Sequence, residues 1–317
     1  MTEVSLLMTV AKLYYIENLK QEEIAEKLQI SRSYVSKILT EAKDEGIVEI
    51  RYCIKDPEEN NAELSQLFQK RFSLKSCNVV PSFTQKDDVL LKLISQRMAS
   101  LFNLIVKDND IIGLGWGNTC YTFIENFKAN NNVKDIIVLP LIGISDSQHA
   151  HYHVNDFVRK FSILNKGMPI FVLTPAYAAT KEDKYLFDQI STVKEIVGYW
   201  EKLDIAIISS GVLPGKNKPP EDLLQILKKK QYYTDNPKLP VADLCGQKIN
   251  IFGDIIYDET SERLIAVSLN QLKMAKRVIC AVGGLNKVFT TLAALRSDTI
   301  TDLIIDEFTA RHVAQLI

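Results

Sequence analysis

The 317-residue chain has no excess of positive charge: 38 Lys and Arg stand against 39 Asp and Glu, a formal net charge of −1. Proteins that coat nucleic acid without regard to sequence are usually strongly basic, so that mode of binding is excluded. Any DNA contact has to come from a local basic surface. The five cysteines, Cys53, Cys77, Cys120, Cys245 and Cys280, are scattered, with no C-x-x-C pair among them. That is the usage of a reducing compartment, where thiols act as small buried hydrophobes rather than as a disulfide framework. No apolar run is long enough to cross a bilayer. The opening residues carry Glu3, Lys12 and Glu17 without a basic leader or cleavage signature. These absences lead to the expectation of a cytoplasmic chain with no membrane partner. Internal repeats and low-complexity segments are missing too. What is present is an ordinary globular composition, 46% hydrophobic and 24% charged, at a length that suits one small and one large domain.

The small domain is expected at residues 1–54. Leu6, Leu7, Val10, Leu13 and Tyr14 recur at helical spacing, which predicts a helix over 4–18. A short helix follows over Gln21–Leu28, with Ile24, Ala25 and Leu28 on one face. Gln29-Ile30-Ser31 reads as a tight turn in which Ser31 caps a third helix, and Gly46 stops that helix. Two short helices crossing at a small Ala25 match a helix-turn-helix. Gly is common where this chain has Gln29; a left-handed non-Gly residue is tolerated there at modest cost. With Val35, Ile38, Leu39 and Ala42 turned inward, Ser31, Arg32, Ser33, Tyr34, Ser36 and Lys37 point outward. These residue types can reach base edges and phosphates. Residues 1–54 hold seven Lys/Arg and nine Asp/Glu, yet Ser31–Lys43 holds Arg32, Lys37 and Lys43 against Glu41 alone. The basic residues therefore collect on the proposed reading helix. The alternating run Ile47–Tyr52 suggests a winged variant in which Arg51 touches the DNA backbone. The bland alternative is a three-helix protein-interaction module.

A polar hinge with Pro57 leads into Ala62–Phe72, and residues 55–74 are expected to form a linker helix that pairs with a second subunit. From residue 75 to 317, apolar strand-like runs alternate with helical patterns. Strands are expected at Asp110–Gly115, Ile136–Ile142, Ile170–Thr174, Asp204–Ser209, Arg277–Val282 and Leu303–Ile305. Strand followed by helix, repeated, implies an α/β domain with a mostly parallel sheet covered on both faces. Ligands in such folds sit at the carboxyl ends of strands.

Three strand-to-helix junctions carry chemistry. Gly113-Leu114-Gly115-Trp116-Gly117-Asn118-Thr119 lets the backbone approach an anion at a helix N-terminus. It is neither a Walker loop nor a dinucleotide fingerprint, and a close-packed turn is the alternative. Val282-Gly283-Gly284-Leu285-Asn286-Lys287 repeats the pattern. A cation in the first turn of a helix opposes the dipole, a conflict that a bound anion resolves and a solvated side chain avoids. Asp306 and Glu307 follow the last strand, where Asp306 serves equally well as a helix cap or as a partner for sugar hydroxyls. His149-Ala150-His151-Tyr152-His153 invites a metal reading. No cysteine or carboxylate completes the set at a familiar spacing, although Asp146 and Asp156 are near. A histidine bonding to a ligand at the sheet edge is the better reading, and no cofactor is expected.

At this point the chain resembles the SorC-type family of sugar-binding bacterial transcription regulators over nearly its full length. The resemblance rests on QEEIAEKLQISRSYVSKIL, IGLGWGNT, LDIAIISSGVL, VADLCG with IFGDII, RLIAVSL, AVGGLNK with LAALR, and DEFTA, in that order. It implies a domain similar in fold to sugar-phosphate isomerases and aminosugar-phosphate deaminases that binds a phosphorylated sugar. It implies phosphate contacts from Gly115–Thr119, Gly284 and Lys287, and sugar contacts near Asp243, with His153 and Asn155 lining the same cleft. It also implies a dimer or tetramer whose affinity for operator DNA changes with effector. One branch of the family places an imine-forming lysine where this chain has Ile142, so a covalent adduct is not expected. The competing expectation is a sugar-phosphate isomerase or deaminase fused to a DNA-binding module. Such chemistry requires a positioned general base, for which Asp243, Asp306 and Glu307 are candidates by residue type only.

Overall fold

The computed structural model describes residues 3–17, 19–48, 59–82, 87–129, 133–149, 153–213 and 223–317. The chain divides into two units, residues 1–55 and 56–317. In the first, α1 (Glu3–Tyr15), α2 (Gln21–Leu28) and α3 (Arg32–Asp44) share one core. Leu7, Val10 and Leu13 meet Ile24, Ala25, Val35, Ile38, Leu39 and Ala42 there. The turn between α2 and α3 follows from its residues. Gln29 takes the left-handed conformation (φ 55°), Ile30 N–H donates to the Ala25 carbonyl (3.0 Å), and Ser31 Oγ accepts from Tyr34 N–H (3.1 Å). Gly46 has φ 71° and ends α3 as expected. Beyond it the expected wing does not begin as a strand. Ile47 and Val48 form a bend, with Val48 N–H donating to the Ala42 carbonyl at 2.8 Å. Arg51 lies outside the described residues.

The larger unit begins with α4 (Glu59–Phe72). The segment read as a linker is, over this range, part of the larger unit: Phe68 is fully buried in its core, with Leu64 and Phe72 packed beside it. The chain continues through β1 (Ser76–Val80), α5 (Asp87–Ile105), β2 (Ile111–Leu114), α6 (Asn118–Asn126), β3 (Ile137–Pro140), α7 (Val154–Asn165) and β4 (Met168–Pro169). Next come α8 (Lys181–Gln189), α9 (Ser191–Trp200), β5 (Ile205–Ile208), β6 (Gly211–Val212), α10 (Leu223–Asp235), β7 (Ala242–Leu244) and β8 (Gln247–Ile249). The last elements are α11 (Leu269–Met274), β9 (Arg277–Val282), α12 (Val288–Arg296), β10 (Asp302–Asp306) and α13 (Glu307–Ala314). Seven strands form one sheet in the order β1-β10-β9-β5-β2-β3-β4, and every pair in it is parallel. Residues Ile205–Ile208 and Asp302–Asp306 are buried throughout, as expected for strands covered on both faces.

This order fixes where a ligand can sit. From β2 the chain moves outward to β3 and β4, then returns to place β5, β9 and β10 on the other side of β2. The strand order therefore reverses between β2 and β5, and loops diverge there to open a crevice at the carboxyl ends. The expected strand at Ile170–Thr174 is displaced. The ladder to β3 runs from Met168 to Pro169, and beyond Ile170 the backbone of Val172 is held instead by the Asn155 side chain. A small antiparallel sheet, β6-β7-β8, was not foreseen.

Candidate effector cleft and reading helix

Three neighbouring strands, β9, β5 and β2, end side by side at the switch point. After β2, Gly115 N–H donates to the Ile207 carbonyl of β5 (2.9 Å), and a Cβ on Gly115 would stand 3.3 Å from that same oxygen. Gly117 then caps α6 with φ 104°, a conformation L side chains rarely adopt, and faces open space. No side chain caps this helix, so its first N–H groups and the positive end of its dipole are presented at the sheet edge. Thr119 is buried in the first turn, with Ser209 Oγ 3.4 Å from its hydroxyl. After β9, Gly284 (φ 97°) opens a single 3-10 turn, Leu285–Lys287, before α12.

Lys287 is not a solvated lysine. Its Nζ donates to the Ser210 carbonyl just after β5 (2.5 Å), tying the ends of β9 and β5 together. Burial lowers its pKa, an effect opposed by Cys280, Asp243 and Cys120 nearby. Asp243 of β7 pairs with Gly211 of β6 and so joins the same cleft. Its Oδ1 accepts from Gly246 N–H (3.1 Å). Burial pushes Asp243 up to about 6, against the opposing pull of that N–H, Lys287 and Lys248. The cleft thus offers an uncapped helix N-terminus and an ammonium group for an anion, and a carboxylate for hydroxyl donors. Cys120 and Cys280 beside it are fully buried thiols pushed up to about 12, too protonated to act as nucleophiles.

The raised Asp243 makes a pH prediction. Its folded-state pKa lies above the ordinary 3.8, so the charged form costs stability. The folded protein is favoured below pH 4, and that contribution is lost as pH rises through about 6. Asp243→Asn should therefore stabilise the ligand-free protein at pH 7.5, by an amount on the order of 3 kcal/mol at most, and flatten the melting temperature between pH 4.5 and 7. Melting curves of both proteins across that range provide the check. An unchanged pH dependence in the variant would show that Asp243 is not the titrating group.

Other expected site residues take supporting positions. Asp306 is buried with both carboxylate oxygens engaged: Oδ1 accepts from Thr309 N–H (3.0 Å) and caps α13, while Oδ2 accepts from Gly284 N–H (2.9 Å). It holds the second glycine loop in place and caps α13, the first of the two roles its sequence position suggested. Glu307 pairs with Arg311 one turn along α13. Asn155 grips the backbone of Val172 through both amide atoms (2.8 and 3.1 Å). His153 Nε2 lies 3.0 Å from the Ser147 carbonyl; His151 lies outside the described residues. Gly283 packs under α5, since a Cβ there would meet Ile94 Cδ1 at 2.4 Å. Ser209 and Ser210 fall in the LDIAIISSGVL stretch but were not singled out as site residues; their contacts with Thr119 and Lys287 place them beside the two glycine junctions. Their signal was the position of β5 between the two glycine junctions.

On the first unit, Ser31, Arg32, Ser33, Tyr34, Ser36 and Lys37 are all exposed along one side of α3, opposite Val35, Ile38 and Leu39. Arg32 Nε lies 2.8 Å from Glu22 of α2, and Lys37 Nζ 3.4 Å from Glu41. Both pairs are solvent-exposed and weak enough to be exchanged for phosphates.

Comparison with known proteins agrees with both units. A family model described as "Putative sugar-binding domain" matches residues 56–315, and one described as "Sigma-70, region 4" matches residues 8–44. The chain is 28% identical over 306 residues to the deoxyribonucleoside regulator of Bacillus subtilis, covering 95% of this chain and 94% of that one. It is 26% identical to the sorbitol operon regulator of Klebsiella pneumoniae, with 97% of each chain covered. The crystal structure of the full-length sorbitol operon regulator SorC from K. pneumoniae superposes with a TM-score of 0.72 at 25% identity over 99% of both chains. A transcriptional regulator from Streptococcus pneumoniae gives the same TM-score at 25% identity, covering 82% of this chain and 99% of that one.

Proposed function

The chain belongs to the SorC-type family of sugar-binding transcription regulators, and from that premise we propose that its effector is a phosphorylated sugar held at the β2/β5/β9 switch point. As in its relatives, the activity is regulation of transcription rather than catalysis, through a helix-turn-helix and a sugar-binding domain. The observation that carries the effector reading is the meeting of Lys287, the uncapped α6 N-terminus at Gly117 and Asp243 around three adjacent strand ends. The phosphate lies against Gly115–Thr119, Gly284 and Lys287. The sugar hydroxyls reach towards Asp243. Operator DNA is read by α3.

For the ligand to regulate, it has to bind two states of the protein unequally, since equal affinity shifts nothing. Lys287 bridging β9 to β5 supplies a local candidate: a phosphate competing for its ammonium group alters the tie between those two strand ends.

The DNA end of the proposal is tested by substitution. Arg32→Ala and Lys37→Ala should each weaken operator binding about tenfold, the effect of losing one base or phosphate contact, and leave sugar-phosphate binding unchanged. Fluorescence anisotropy on an operator selected from random DNA gives the measurement. Unaltered affinity in both variants would show that α3 is not the reading helix.

A further inference from the structure

Between α8, α9 and the segment from residue 264 to 271 lies a cavity of about 430 Å³, the size of a small-molecule site. Its apolar walls are Val193, Val197 and Trp200 of α9 with Leu264, Ile265 and Ala266. Trp200 is buried and its indole N–H donates to the Pro140 carbonyl (2.9 Å), which fixes that wall to the end of β3. The opposite wall is fixed too: the Ile265 carbonyl accepts from Gly143 N–H (2.9 Å), and Val267 N–H donates to the Leu141 carbonyl (2.8 Å). Leu264 also packs against Gly246, its Cδ1 2.6 Å from where a Cβ there would stand, and Gly246 N–H is the donor to Asp243. The cavity therefore backs onto the cleft that holds Asp243, yet neither Asp243, Lys287 nor the glycine junctions line it.

Helix α9 departs from helix rules at three positions, and all three line the cavity. Gly198 stands inside the helix, where glycine is disfavoured relative to alanine. No close packing demands it, since a Cβ on Gly198 would have nothing within 4 Å. Lys194 lies near the amino end of α9 and Glu201 caps its carboxyl end, each of the sign that the helix dipole disfavours. Both lie about one turn from Gly198 on the same face, with the glycine leaving the lane between them open. Lys194 Nζ donates to the neutral amide oxygen of Gln189 (3.1 Å), and neither charge has an ion-pair partner among the described residues. The other two charges of the rim, Lys184 and Asp188, neutralise each other at 2.6 Å. Local rules broken together at one place are the mark of a functional site.

We propose that this cavity is a second ligand site, which binds a small zwitterion with a compact apolar body, the chemistry of an apolar α-amino acid. Lys194 takes the carboxylate and Glu201 the ammonium group, which removes both conflicts with the helix dipole. The apolar side chain lies against Val197, Trp200 and Leu264. One uncommitted charge of each sign selects this class. A ligand with negative charge alone meets Glu201 unfavourably, and a neutral apolar one leaves both charges without a partner. A sugar phosphate fits least, since it carries its charge towards Glu201 and has no apolar body for the Trp200 wall. The site is separate from the sugar-phosphate cleft, and its test contains neither sugar nor DNA.

Calorimetric titration of the full-length protein with L-leucine and with L-phenylalanine is the test. At least one of the two should bind with a dissociation constant of about 1 mM or tighter. Leucinamide, which lacks the carboxylate, and isocaproate, which lacks the ammonium group, should bind at least about tenfold more weakly. Gly198→Leu projects a side chain into the cavity and should abolish binding, with circular dichroism confirming the fold. Lys194→Met and Glu201→Gln, both at exposed positions that the fold does not depend on, should each weaken binding about tenfold. The proposal is overturned if neither amino acid binds, if a folded Gly198→Leu or both charge variants keep wild-type affinity, or if leucinamide or isocaproate binds as well as the zwitterion.

Discussion

Lys287→Met should lose at least tenfold in affinity for a sugar phosphate and keep its fold. The ammonium group at the meeting of β9 and β5 already reaches across, to the Ser210 carbonyl. A charge-assisted bond to phosphate is worth about 1.5–3 kcal/mol, or roughly 10- to 150-fold in affinity. Met fills the space of the aliphatic stem. The substitution leaves the Ser210 carbonyl without its partner, which costs about 1–3 kcal/mol. It also removes a cation that burial disfavours, so the two changes offset in the ligand-free protein. Calorimetric titration of wild type and variant with the same sugar phosphate separates binding from folding. Equal affinity would move the phosphate site away from Lys287.

The largest loss of stability is expected far from the cleft, at Asp302→Ala. Asp302 is fully buried at the amino-terminal end of β10. It holds Arg277 of β9 in a two-pronged ion pair, with Nε–Oδ2 at 2.7 Å. It also accepts from Ser76 Oγ of β1 and from Thr301 Oγ1 (2.7 Å). One carboxylate thus fastens three parallel strands. Removing it leaves the Arg277 guanidinium half-buried without its counter-charge, a change that typically costs 3–5 kcal/mol. For a domain of this size the melting temperature should fall by about 6–15 °C. The double variant Asp302→Leu with Arg277→Met should recover most of that loss, because no charge is then stranded. Thermal unfolding of the three proteins is the measurement. A fall of less than 2 °C in the single variant (about 1 kcal/mol) would show that solvent reaches Arg277 and replaces the bond.

The parts of this molecule that were legible in the sequence are those whose physics is local. The turn between α2 and α3 is written in consecutive residues, through the left-handed Gln29 and the Ser31 cap. The strands β2, β5, β9 and β10 are long apolar runs because both their faces are covered. Elements without a periodic apolar signal were not visible. Helix α8 buries none of its residues, so no stripe marks it, and β6, β7 and β8 are two or three residues long, too short for alternation to register. The site was half legible in the same sense. Its glycine loops stand out in the chain, but the contacts that define their roles are distant. The Ser210 partner of Lys287 is 77 residues away and the Gly284 partner of Asp306 is 22 residues away. The run Asp306-Glu307-Phe308 suggests the cap on α13, but not the second bond that Asp306 accepts from Gly284 N–H.

The central claim is that a phosphorylated sugar occupies the cleft, and the most direct measurement is the melting temperature of the full-length protein against triose, pentose and hexose phosphates, each paired with its unphosphorylated sugar. A ligand at a hundredfold excess over its dissociation constant stabilises the folded state by about 2.7 kcal/mol. A rise is expected with one sugar phosphate that its unphosphorylated counterpart does not give and that Lys287→Met removes. A rise of equal size with the unphosphorylated sugar, or no rise with any phosphate in the panel, would contradict it.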